Sequence, residues 1–239
     1  MQAKNLPTIT SRYWTAILVA SMAGANTGDF LANILHLGHL RGLPPLAAAF
    51  VVIVWAERRA EAATEAYYWL AIIVLRTGAT NLADLVAHDL QLGYGLIDTA
   101  LTALLIAILL ADRARGGATG AGGRNLPATD APYWAAMLTA GTLGTATGDF
   151  VAAHLGFGFG SLVLAPIYAI VLLLAARLGG MTKPWYWASI VAARTAGTTL
   201  GDFVANQNFL PLGLSRSTVL TCGLLAAIVF FWRDAAHDT

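Results

Sequence analysis

The sequence predicts an all-α polytopic membrane protein, with eight transmembrane helices built from four tandem two-helix repeats that run parallel to one another. Three observations predict it. Hydrophobic residues make up 57% of the chain and charged residues 11%, with a mean hydropathy of +0.65; a soluble domain needs about 25% charged residues to dress its surface. A Tyr-Trp pair recurs four times, at Tyr13-Trp14, Tyr68-Trp69, Tyr133-Trp134 and Tyr186-Trp187. Each Trp is followed fifteen residues later by an Asp inside an apolar stretch: Asp29, Asp84, Asp149 and Asp202.

Each Tyr-Trp segment leads through a Gly-containing turn to a second apolar run. The odd helices are expected at residues 13–35, 67–90, 132–155 and 185–208, and the even helices at 43–57, 96–111, 161–178 and 216–232. These lengths suit a hydrocarbon core roughly 30 Å thick. The boundaries divide the chain into a first half at 1–111, a Gly-, Ala- and Arg-rich cytoplasmic linker at 112–131 and a second half at 132–239. The first apolar run resembles a signal peptide, with Ala23-Gly24-Ala25 as a mock cleavage site, but it recurs internally and is therefore read as part of the fold. Units 1 and 3 share Thr-Gly-Asp-Phe, and units 2 and 4 share Arg-Thr eight residues before the Asp (Arg76, Arg194). An A-B-A-B order of two-helix units places the pseudo-symmetry axis along the membrane normal.

Loop charge sets the expected orientation. Lys4, Arg12, Arg58, Arg59, Arg113, Arg115, Arg124, Arg177, Lys183 and Arg233 lie on the side of the odd helices' N-termini; Arg41 and Arg216 lie on the other. The positive-inside rule then puts both termini in the cytoplasm. The Tyr-Trp pairs are expected as interfacial anchors, and the Asp about 22 Å further along at 1.5 Å per residue.

On a helical wheel, positions −7, −4, −3 and +4 share the face of each Asp. Unit 2 then offers Thr77, Thr80, Asn81 and His88, and unit 4 offers Thr195, Thr198, Thr199 and Asn206; unit 3 offers Thr142 and Thr145, and unit 1 offers Asn26 and Asn33. A carboxylate at a helix centre costs about 2.5–3.5 kcal/mol on insertion scales. The four stripes must therefore face one another, with the odd helices inside and the even helices against lipid. Small residues at Asp−5 and Asp−1 (Gly24 and Gly28, Ala79 and Ala83, Gly144 and Gly148, Gly197 and Gly201) are spaced for close backbone contact.

These features point to a transporter or channel for a small cation, with a divalent metal such as manganese as the leading substrate. Asp29, Asp84, Asp149 and Asp202, with His88, are the expected metal ligands, and Asn33 and Asn206 extend the pathway. Arg76 and Arg194 balance charge, expected by pairing with the Asp: four carboxylates and two guanidinium groups sum to minus two when ionised. Carboxylate, amide and imidazole ligands suit harder or borderline metals, and the single Cys222 argues against copper(I). Two other classes are weighed: a haem-binding redox protein with His88 or His154 as axial ligand, and a non-transporting scaffold or sensor. His36 and His39 are expected as solvated loop residues. The chain carries no catalytic motif, so no enzyme activity is expected, and a net charge of +1 argues against nucleic acid. The expected partners are the lipid bilayer and the cation, with room for a homo-oligomer.

The Tyr-Trp, Gly and Gly-Asp-Phe pattern resembles a family of functionally uncharacterised bacterial polytopic membrane proteins with four tandem repeats, each of two spans and a characteristic tryptophan. Trp14, Trp69, Trp134 and Trp187 match that tryptophan, and the resemblance runs from about Tyr13 to Trp232. It implies this fold and a bacterial inner membrane, and no substrate. Ala83-Asp84-Leu85 departs from the Gly-Asp-Phe form.

Overall fold

A computed structural model describes residues 7–60, 64–116, 126–205 and 212–232, which form eight helices. The odd helices are α1 (Ser11–Asp29), α3 (Glu65–Asp84), α5 (Ala131–Leu155) and α7 (Lys183–Ala205); the even ones are α2 (Gly38–Arg59), α4 (Tyr94–Ala114), α6 (Phe157–Arg177) and α8 (Gly213–Phe231). Two π-helical turns extend α1 and α3, at Phe30–Ile34 and Leu85–Asp89, each directly after its Asp. Asp130 caps α5 by accepting the Tyr133 N–H at 3.1 Å, with Pro132 in the first turn, where its missing N–H costs nothing.

The four odd helices form a closed inner ring, α1 against α3, α3 against α5, α5 against α7 and α7 against α1. Each even helix lies outside and packs on the odd helix of the next unit: α2 on α3, α4 on α5, α6 on α7, and α8 back on α1. The two halves read from the sequence thus interlock through α3–α5, α4–α5, α1–α7 and α1–α8. The small residues make the inner ring. A methyl group on Gly28 would sit 2.7 Å from Thr80 Cβ, one on Gly144 2.6 Å from Arg194 Cβ, and one on Gly201 3.1 Å from the Met22 carbonyl; Ala79 meets Gly141 in the same way. In each unit the Asp−5 residue abuts the Asp−8 residue of the next, so one contact is repeated around a fourfold pseudo-axis.

That contact selects which residues face the axis. Every fourth residue does so, and the inner ring is a stack of tetrads counted back from the Asp. At Asp−16 stand Tyr13, Tyr68, Tyr133 and Tyr186; at Asp−12 Ile17, Ile72, Met137 and Ile190; at Asp−8 Ser21, Arg76, Gly141 and Arg194; at Asp−4 Ala25, Thr80, Thr145 and Thr198. All sixteen are buried. A row of period four drifts around a helix of 3.6 residues per turn. It stays on the axis only if the helices tilt in the right-handed sense of small-xxx-small pairs.

Five helices (α2, α3 with its π turn, α4, α6 and α8) are long and apolar enough to cross a membrane. The other three, α1, α5 and α7, are 19, 25 and 23 residues long; their inward Thr, Gly and Asp residues lower their mean hydropathy. The outer helices present Val52, Leu104, Leu173 and Phe230 outward, an apolar belt that suits lipid. The chain is a multi-pass membrane protein.

The tryptophans are not interfacial anchors. Trp14, Trp69, Trp134 and Trp187 are only 4–8% exposed. Each sits edge-on to its own unit's tyrosine at 5.1–5.2 Å, and the preceding unit's tyrosine packs on it at 5.6–6.0 Å. Their indoles fill the seams between inner helices, where burying a large ring is worth more than a place at the interface.

Candidate functional site

Among the described residues, the axial stack opens at its Asp end. Above the Asp−4 layer, at the C-terminal ends of the inner helices, lies a cavity of about 730 Å³ lined by Asp29, Asp84, Asp149 and Asp202 together with Thr80, Thr145 and Thr198. Asp84 is buried and the other three are half-buried. The structure thus brings the four repeat carboxylates into one chamber.

Asn33 and His88, at Asp+4, also line the cavity, although the π turns replace the α-helical register on which they were placed. Asn206 lies outside the described residues. His88 Nε2 is 3.9 Å from Asp84 Oδ1. One ligand atom each from Asp84, His88 and Asp149 falls within 4.8 Å of the others, close enough for a single metal ion. Asp149 Oδ2 and the hydroxyl of Thr198, a residue 2% exposed, have no hydrogen-bond partner among the described residues.

The Asp−3 residues turn away from this chamber. Asn26 donates to Ser217 Oγ of α8 at 2.6 Å, and Asn81 packs under Gly42 of α2. Thr77, Thr142 and Thr195 donate to their own helix carbonyls four residues back. A row of period four leaves the −3 and −7 positions facing neighbouring helices.

Arg194 lies directly beneath the cavity floor of Ala25, Thr80, Thr145 and Thr198. Its Nε donates to the Gly141 carbonyl (3.3 Å) and Thr145 Oγ1 (3.0 Å), Nη1 to the Ser21 carbonyl (2.8 Å), and Nη2 to the Arg76 carbonyl (3.2 Å) and Thr80 Oγ1. Arg76 is equally buried, but its Nη2 reaches only Met137 Sδ at 3.9 Å, and its Nε and Nη1 have no partner among the described residues. The expected Asp–Arg pairs do not form: no ion pair within 4.0 Å joins either Arg to a carboxylate among the described residues. Arg76 reaches away from the Asp layer, toward Met137, whereas Arg194 reaches the Asp−4 threonines Thr80 and Thr145 and stops short of the carboxylates.

His39, expected in solvent, also lines the cavity. Its Nε2 is 3.9 Å from Asp84 Oδ2 and its Nδ1 is 3.1 Å from each carboxylate oxygen of Asp89, with its side chain 18% exposed. Tyr94, Phe157 and Leu214 complete the mouth. All four mouth residues follow a glycine at the start of an even helix: Gly38-His39, Gly93-Tyr94, Gly156-Phe157 and Gly213-Leu214. That dipeptide was the signal available in the sequence. His154 is not part of the lining; its Nδ1 lies 2.7 Å from the Phe150 carbonyl and its ring is exposed. His88 and His154 therefore do not form a pair of axial ligands.

Residues 12–63 and 185–237 match the family model described as a Repeat of Unknown Function (DUF347). No curated protein and no solved structure matches the chain. The matched segments are the first and fourth two-helix units, each similar to this uncharacterised repeat, and the second and third units keep the same Tyr-Trp to Asp register.

Proposed function

We propose that this protein moves a small cation, a divalent metal such as manganese, across the bacterial inner membrane without chemically changing it. The observation that carries the reading is the meeting of Asp29, Asp84, Asp149 and Asp202, one from each repeat, in one cavity, with Asp84, His88 and Asp149 within reach of a common ion. Oxygen donors with one imidazole suit manganese-like ions better than soft ones. A chamber of this volume corresponds to about 24 waters at roughly 30 Å³ each, so the ion can enter hydrated and exchange water for carboxylate stepwise. With both termini cytoplasmic, as the loop charges favour, the cavity faces the outside.

The test is Mn²⁺ uptake and efflux, in cells and in liposomes, for the four single Asp→Asn variants. Asn keeps the shape and removes one negative charge. Each variant is expected to fold and to lose cation binding or flux. Full activity in all four, at normal expression, would overturn the reading and leave a structural network in its place.

A further inference from the structure

We infer that this protein is an alternating-access carrier, not a channel, and that the four repeat tyrosines are the gate at its closed end. The carrier assignment rests on the cation reading above; the gate stands on geometry alone.

The tyrosine hydroxyls form a closed ring. Tyr13 meets Tyr68 at 2.8 Å and Tyr186 at 2.6 Å, and Tyr133 meets the same two at 2.8 Å each. All four side chains are fully buried. The oxygens of such a square lie about 2 Å from its centre, shorter than the 2.7–3.0 Å that a water molecule needs to a hydroxyl and too tight for a cation that keeps any water. Between this ring and the cavity lie the Ile17, Ile72, Met137 and Ile190 layer and then Arg194, which spans the axis to the carbonyls of three other units. Tyrosine and Asp are sixteen residues apart on every inner helix, about 24 Å at 1.5 Å per residue. From the tyrosines to the Asp−4 layer the seal spans twelve residues, about 18 Å of a hydrocarbon core roughly 30 Å thick, and among the described residues the Asp cavity opens on the side away from it. A cation that enters it can leave on the far side only if this stack opens.

Two features distinguish a gate from a static plug. The ring is polar where leucine or phenylalanine would pack equally well in a buried layer. Its four bonds form one cycle in which each hydroxyl can change partner by rotating, so the bonds can be broken and remade one at a time. Beneath the cavity floor, Arg76 holds Nε and Nη1 with no partner among the described residues; the observed state leaves a buried cation that a second arrangement of the stack can satisfy. On the cavity side of the tryptophans, at Asp−5 and Asp−1, the seams between inner helices are lined by Gly and Ala and present few interlocking side chains.

The test uses the full chain in a Cys222→Ser background, which removes the only cysteine, with Thr198→Cys as reporter at the cavity floor. Labelling by a membrane-impermeant thiol reagent is measured in vesicles from each face. The unmodified gate should label at least tenfold faster from the face carrying the turns between paired helices. Tyr13→Phe with Tyr133→Phe removes all four ring bonds and keeps every aromatic ring. It should raise labelling from the tyrosine face at least tenfold and lower it from the cavity face. Tyr168→Phe, whose hydroxyl bonds the Trp14 carbonyl outside the ring, should change neither rate. Should the double variant not fold, Tyr13→Phe alone, which removes two bonds, should shift both rates in the same directions. Unchanged labelling, a rise without the reciprocal fall, or an equal response to Tyr168→Phe would overturn the inference. Because labelling requires no cation, loss of manganese flux without a labelling change, or the reverse, separates failure of the substrate reading from failure of the gate.

Discussion

Arg194 Nη2 donates a hydrogen bond to the main-chain carbonyl of Arg76 across the bundle at 3.2 Å. Both residues stand at Asp−8 of their units, yet their roles differ. Arg194 ties α7 to α1, α3 and α5, and the small Ser21 and Gly141 at the same level leave space for its guanidinium. Arg76 supplies its backbone and leaves most of its own donors unused.

This asymmetry predicts opposite responses to substitution. Arg194→Lys keeps the charge but cannot reach carbonyls on three helices with one ammonium group. It should lose roughly 3 kcal/mol, since charged hydrogen bonds are worth about 1.5–3 kcal/mol each. Arg76→Leu replaces an uncompensated buried charge with an apolar group and should be neutral or stabilising. Equilibrium unfolding in detergent measures both, and equal losses would mean that Arg76 has a partner of comparable strength.

A second prediction concerns the seams. Gly144→Ala places a methyl group 2.6 Å from Cβ and Cγ of Arg194, and the backbone of α7 lies just behind. The expected loss is about 1–3 kcal/mol from overpacking. Gly223→Ala on α8, where nothing lies within 4 Å, should be neutral or slightly stabilising. Melting temperatures of the two purified variants decide the matter.

Most of the architecture was legible because the Tyr-Trp to Asp spacing repeats without a gap. The inner helices start within two residues of expectation, and α5 and the π turns that extend α1 and α3 end within one residue of it, while the expected end of α7 at 208 lies outside the described residues. A wheel of 3.6 residues places Thr80, Thr145 and Thr198 beside the Asp, but it also admits Asn26 and Asn81, which face α8 and α2 instead. The tyrosine ring was hidden because a Tyr-Trp pair at a helix start is also the signature of an interfacial belt. The closure of the inner ring by α7 on α1, which brings Tyr186 to Tyr13, distinguishes the two. His39 was missed because its partners Asp84 and Asp89 belong to the next unit.

The turns between paired helices yield a third prediction. His36 (φ 55°), Gln91 (φ 53°) and Gly156 (φ 76°) each lie seven residues after their Asp in the left-handed region. Two of the three carry a side chain where glycine is preferred. Gly156→Ala should cost about 1–2 kcal/mol. Gln91→Gly should stabilise by roughly 0.5 kcal/mol, the relief of that strain less the entropy glycine adds to the unfolded chain. No change in melting temperature for either variant would place these turns outside the cooperative unit.

The last prediction separates the four carboxylates from one another. The repeats place one Asp per helix around the axis, but among the described residues the imidazoles that reach the cavity stand beside Asp84: His88 from the turn after α3 and His39 from α2. If one divalent ion is held by Asp84, His88 and Asp149, binding should be uneven around the axis. Asp84→Asn, Asp149→Asn and His88→Gln each remove a direct ligand and should abolish measurable Mn²⁺ binding at micromolar concentration. His39→Gln removes a group that sits between Asp84 and Asp89 and orients the ligand, which typically lowers affinity about 10–100-fold. Asp29→Asn and Asp202→Asn remove charge from the opposite wall; they should weaken binding least while still slowing flux through the cavity. Loss of the free-ion electron paramagnetic resonance signal on titrating Mn²⁺ into each purified variant gives the affinities directly. Equal losses for all four Asp→Asn variants would place the ion on the pseudo-symmetry axis, shared by the four repeats, and would reject the off-axis site at Asp84.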